Sequence, residues 1–87
     1  MANQENQKEV SMLQCVMAKL PEFSTKCTTA QLKAVQHGVH DTPKKCWCCW
    51  VINSEGQKFF AMYCEDTDKI KTVSETEKKN YIVKSIK

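Results

Sequence analysis

The nine residues KKCWCCWVI, from Lys44 to Ile52, hold three of the six cysteines and both tryptophans of an 87-residue chain. Thiols this dense can bind a soft metal, form a disulfide, act as nucleophiles or fill an apolar core. Tetrahedral zinc takes four N or S ligands at about 2.0–2.3 Å. Cys46, Cys48, Cys49 and Cys64 are the thiol candidates, and His40 or His37, just upstream, would supply an imidazole. The only spacing with two residues between ligands, Cys46 to Cys49, puts its members on opposite faces of a regular strand unless a bulge intervenes. One structural zinc or none is therefore expected. The competing reading is cysteine as a small buried hydrophobe. A disulfide between Cys46 and Cys64 is the third.

Catalysis finds little support. A Cys–His pair needs a thiolate activated by an oriented base, and six cysteines with two histidines offer only nominal pairs. With two glycines there is no phosphate-cradling loop, and Glu65–Asp68 looks like a solvated turn. The chain reads as non-enzymatic.

Net charge is +3, and all thirteen basic residues are lysine. Without arginine, bidentate readout of guanine is missing. Lys44 and Lys45 beside Trp47 and Trp50 form the one patch resembling a single-strand nucleic-acid surface.

The elements that must position these groups follow from periodicity. Val10, Leu13, Val16, Met17 and Leu20 share a face over Glu5–Leu20, which predicts a first helix closed by Pro21. Thr28 with Gln31 forms a capping box for a second helix, ended by Gly38. CWCCWVIN and QKFFAMYC read as a hairpin, with Asn53-Ser-Glu-Gly56 as a type I turn and bulge. That turn sets Val51 opposite Phe59, Cys49 opposite Ala61 and Cys46 opposite Cys64. DKIKTV is a candidate third strand. Ser74 with Glu77 opens a short C-terminal helix, although YIVKSI also has strand propensity.

The expected fold is α+β: two N-terminal helices, a central antiparallel hairpin with a possible third strand, and a short C-terminal helix. Residues 1–87 read as one small domain and residues 1–5 as a flexible terminus. The polar start, MANQENQKEV, holds no signal core, and no apolar run is long enough to span a bilayer. The expectation is a cytoplasmic protein away from membranes.

Both faces of the hairpin are apolar, so both need cover. If the helices take the face of Cys46, Cys48 and Trp50, the opposite face is left with Trp47, Val51, Phe59 and Tyr63. Such residues dominate binding hot spots. The functional expectation is docking to another protein, or to a second copy as a homodimer, through that aromatic face. Nucleic-acid binding is the alternative.

Overall fold

Asn53 organises the centre of the fold. Its side-chain Oδ1 accepts from the backbone N–H groups of Glu55 and Gln57, both at 2.9 Å. Its carbonyl accepts from Gly56, whose φ of +82° suits glycine. The turn and its bulge fix the hairpin β2 (Lys44–Ile52) and β3 (Lys58–Cys64) in the expected register, with Val51 opposite Phe59 and Cys49 opposite Ala61.

The computed structural model describes residues 4–86 and shows an α+β domain with one helix and a five-stranded antiparallel sheet. Helix α1 spans Gln4–Lys19. Strand β1 is Gln31–His37, β4 is Lys69–Ser74 and β5 is Tyr81–Ser85. The strand order is β4-β3-β2-β1-β5. Of the expected flexible terminus, residues 1–3 lie outside the described residues, and Gln4 and Glu5 belong to α1.

Two expected helices are absent. The segment opened by Thr28 and Gln31 is strand β1, because Gln31–Val35 pair with β2 on one side and Lys33–His37 with β5 on the other. Two ladders outweigh one local cap. The C-terminal capping box does form: Ser74 Oγ accepts from the Glu77 backbone N–H at 3.1 Å. It caps only a 3₁₀ turn, Glu77–Asn80, after which Tyr81–Ser85 fills the free edge of β1. The third strand, β4, is present as expected, paired with β3 from Phe59–Ser74 to Cys64–Lys69.

Helix α1 covers the hairpin face of Trp47, Cys49, Val51, Ala61 and Tyr63. Met12, Leu13 and Val16 are its buried residues there, whereas Val10 is 39% exposed. The helix is thus rotated from the face that includes Val10. Two ion pairs hold it to the β3–β4 turn. Lys8 Nζ lies 3.1 Å from Glu65 Oε2, and Lys19 Nζ lies 2.9 Å from Asp68 Oδ1. The same carboxylates serve the aromatic donors beneath. Trp47 Nε1 donates to Glu65 at 3.2 Å and Tyr63 Oη to Asp68 at 2.6 Å. Hydrogen bonding by Lys8 and then Trp47 holds Glu65 below the usual glutamate range, and Tyr63 and then Lys19 do so for Asp68. The turn that looks merely solvated in the sequence is therefore the clasp on the helix.

The opposite face has no helix, yet Cys46, Cys48, Phe60, Met62 and Val73 are buried on it. The sheet covers itself by curling. β4 and β5 are its two edges, four strand spacings apart and thus about 19 Å in a flat sheet. Lys71 on β4 nevertheless lies over the Tyr81 ring on β5, 5.6 Å from its centre. The 3₁₀ turn joins the two edges in six residues and lays Lys78 over Phe60 at 5.0 Å and over Trp50 at 5.8 Å.

Trp47 is therefore core beneath α1. Trp47→Ala is expected to cost about 3–5 kcal/mol in urea-induced unfolding. A variant with wild-type stability would mean that α1 does not seat on this face.

Candidate functional site

The pleat sorts the strand residues between the helix side and the concave side. The inward set on the concave side includes Val35 from β1, Cys46 and Cys48 from β2, Phe60 and Met62 from β3, Val73 from β4, and Tyr81 and Val83 from β5. Lysines share that side. By register Lys33 stands opposite Cys46, Lys71 opposite Met62, and Lys69 opposite Cys64. The five strands together carry seven lysines, at positions 33, 44, 45, 58, 69, 71 and 84, and no aspartate or glutamate. All ten acidic residues fall outside the strands.

At one end of the curled sheet this pattern makes a cleft of about 770 Å³. Its floor is Val35, Cys46 and Met62. Lys44 and Lys45 rim it from β2, and Lys69 and Lys71 from β4. Asp41 and Asp66 in the flanking turns are its only carboxylates. One wall is Tyr81 stacked on His37, with ring centres 4.5 Å apart and planes 21° apart. A hydrogen bond with Tyr81 raises the pKa of Lys71, so this lysine stays cationic through the physiological range. A smaller hollow of about 490 Å³ lies beside Trp50 and Phe60, with Lys33 and Lys78 on its walls.

The thiols divide among three settings. Cys46 and Cys64 come together as the register requires, with their Sγ atoms 2.9 Å apart. Cys48 turns back on its own strand and donates to the Cys46 carbonyl at 3.5 Å. Cys49 faces the helix side, among the residues under α1. His40 is exposed in the β1–β2 connection, and His37 is held against Tyr81. Among the described residues no three His, Cys, Asp or Glu side chains converge as a metal site requires. The expected zinc ligands Cys46, Cys48, Cys49, Cys64, His37 and His40 are thus not assembled, because β2 runs as a regular strand and alternates its cysteines between faces.

Two other groupings also change. Trp47, Val51, Phe59 and Tyr63, expected as an open docking face, pack beneath α1. The helix takes this face because its apolar ridge has only one hairpin face to seat on, while the sheet buries the other. The candidate nucleic-acid patch divides as well. Lys44 and Lys45 are exposed on the cleft rim, Trp47 is buried on the far side, and Trp50 is half-buried under Lys58 and Lys78.

Lys33, Lys69, Lys71 and Tyr81 are functional candidates that sequence reasoning misses. The alternation that sorts the cysteines and aromatics applies equally to the lysines. Lys69 and Lys71 already show a period of two in DKIKTV. Comparison with family models, with curated proteins and with solved structures found no match.

Burial governs the thiol chemistry. Desolvation, reinforced by the hydrogen bond to Cys64, pushes Cys46 up to about 12. Desolvation also pushes Cys48 to about 12 and Cys49 to about 11, from an ordinary 9.0. These thiols bind their protons more tightly folded than unfolded. Their stabilising contribution is full below pH 9 and is lost as pH climbs toward 11–12. In urea unfolding under reducing conditions, stability should fall from about pH 8.5 to about pH 10.5, and Cys48→Val should make that fall shallower. An unchanged slope in the variant would remove Cys48 from this account.

Proposed function

We propose that this protein is a small non-enzymatic docking module that takes an acidic, partly apolar segment of another protein into the lysine-rimmed cleft. One observation carries the reading: strands with seven lysines and no carboxylate, curled so that four of those lysines ring an apolar floor. Carboxylates of a partner would meet Lys44, Lys45, Lys69 and Lys71, while its apolar side chains would cover Val35 and Met62. Lysine suits this task, since a compact, strongly hydrated cation accepts carboxylates without demanding bidentate geometry.

A protein segment is favoured over nucleic acid by the state of the aromatic rings. Stacking bases need a free aromatic face. Tyr81 has His37 on its ring and Lys71 near its centre. Trp50 has Lys58 and Lys78 over it. Trp47 lies under the helix. The cleft thus supplies charge and apolar floor with no open stacking platform.

The test uses two probes of equal charge: a synthetic peptide alternating glutamate and leucine, and a single-stranded oligothymidylate. Fluorescence anisotropy would monitor both at low and moderate salt. The peptide is expected to bind the more tightly. The pair Lys44→Glu and Lys71→Glu should weaken it by about tenfold or more, a change of about 1.4 kcal/mol. Tighter binding of the oligonucleotide, or peptide binding indifferent to the two reversals, would overturn the proposal.

A further inference from the structure

Docking leaves one feature of the cleft unused. Cys46 and Cys64 occupy directly opposed positions at the end of the β2–β3 ladder, next to the Trp47–Tyr63 pair. Their sulfurs already touch at 2.9 Å. Opposed residues of an antiparallel pair have Cα atoms about 4.5–5.5 Å apart, inside the range that a disulfide spans. Both thiols line the cleft, so a small molecule can reach them. Cys64 is half-exposed, and Cys46 is 4% exposed.

The surroundings select the kind of molecule. Lys69 is the register partner of Cys64 on β4, and Lys44 is among the charges that act on Cys46. Both belong to the cleft rim. An anionic reagent is therefore drawn toward the pair.

We propose that Cys46 and Cys64 form a redox site that exchanges with an anionic low-molecular-weight disulfide of the glutathione type, closing reversibly to a Cys46–Cys64 bridge. Cys64, the more exposed thiol, gives its proton to solvent. Its sulfur attacks one sulfur of the small disulfide, the S–S bond breaks, and one thiolate leaves and takes up a proton. Cys46 then gives up its proton and attacks the Cys64 sulfur of the mixed disulfide, expelling the second thiolate, which is protonated in turn. Two protein thiols are oxidised by two electrons, and the small disulfide is reduced to two thiols. The attack of Cys46 is eased by the first step itself, because Cys64 in the mixed disulfide no longer carries the hydrogen bond and the charge that oppose ionisation of Cys46. A bridge between opposed strand residues is commonly strained, and strained bridges are the readily reduced ones. The site therefore suits reversible oxidation. The other thiols are placed differently: Cys48 is engaged with the Cys46 carbonyl, Cys27 Sγ donates to the Trp50 carbonyl at 3.6 Å, and Cys49 faces α1.

The site stands independently of what the cleft docks. Its test equilibrates the full reduced chain with oxidised and reduced glutathione at graded ratios, quenches with an alkylating agent and measures intact mass. Tryptic peptides then locate the bridge. The Cys46–Lys58 peptide carries three cysteines and the Phe59–Lys69 peptide carries Cys64, so fragmentation within the linked pair assigns the partner of Cys64. The expected result is loss of two hydrogens, a link from Cys64 to Cys46, and four alkylated thiols. Added reduced glutathione should reverse it. Cys64→Ser should form no intramolecular bridge under the same conditions, with circular dichroism reporting its fold. A bridge between other cysteines, or an absence of any bridge at the most oxidising ratio, would overturn the proposal. If Cys64→Ser failed to fold, the link assigned in the wild-type chain would decide alone.

Discussion

One helix must serve a hairpin that is apolar on both faces, and everything else in this structure depends on that shortage. Trp47, Cys49 and Val51 alternate with Cys46, Cys48 and Trp50 along β2, and β3 answers with the same alternation. Helix α1 seals the first face, where Val16 and Val51 lose all contact with solvent. No second helix exists among the described residues to seal the other. The sheet solves this by curling until β4 and β5 approach across it, closed by a single 3₁₀ turn. Each face is then covered, as a sheet apolar on both sides requires.

The curl also sets the chemistry. It directs Lys33, Lys69 and Lys71 inward beside apolar residues, and it sends the acidic residues to the helix and the turns. Two of those acids, Glu65 and Asp68, clasp α1 while accepting from Trp47 and Tyr63. Among the described residues no buried side-chain nitrogen or oxygen is left without a partner. That matters in a chain this short, whose whole margin is on the order of 5 kcal/mol. The cleft keeps a positive rim, and the paired thiols at its base face an opening rather than a sealed core.

Local physics makes the hairpin legible in the sequence. Asn53 and Gly56 specify a turn, the turn specifies the register, and the register brings Cys46 to Cys64. The strands β1 and β5 are not legible, because their conformation is decided by pairing across the chain. Lys33 meets Ser85, a partner 52 positions away, and no local window contains that bond. Thr28–Gln31 and Ser74–Glu77 both look like helix starts. Only the second makes its cap, and beyond its short turn the fifth strand takes over at Tyr81. The same gap hides the site. Without β1 and β5, nothing in the sequence says that the Cys46 face closes on itself or that Lys71 meets Tyr81. Local patterning then assigns the helices to the Cys46 face and leaves Trp47 and Tyr63 facing outward.

The account rests on the approach of the two sheet edges, and nuclear Overhauser contacts in the folded protein test it most directly. The decisive pairs are the Lys71 side chain with the Tyr81 ring, and Lys78 with the Phe60 ring. The curled sheet predicts both sets of cross-peaks, since these groups lie 5.6 Å and 5.0 Å apart by ring-centre distance. Absence of both, with the β1–β2, β2–β3 and β3–β4 ladders intact, would describe an open sheet whose Cys46 face is bare, and would contradict the account.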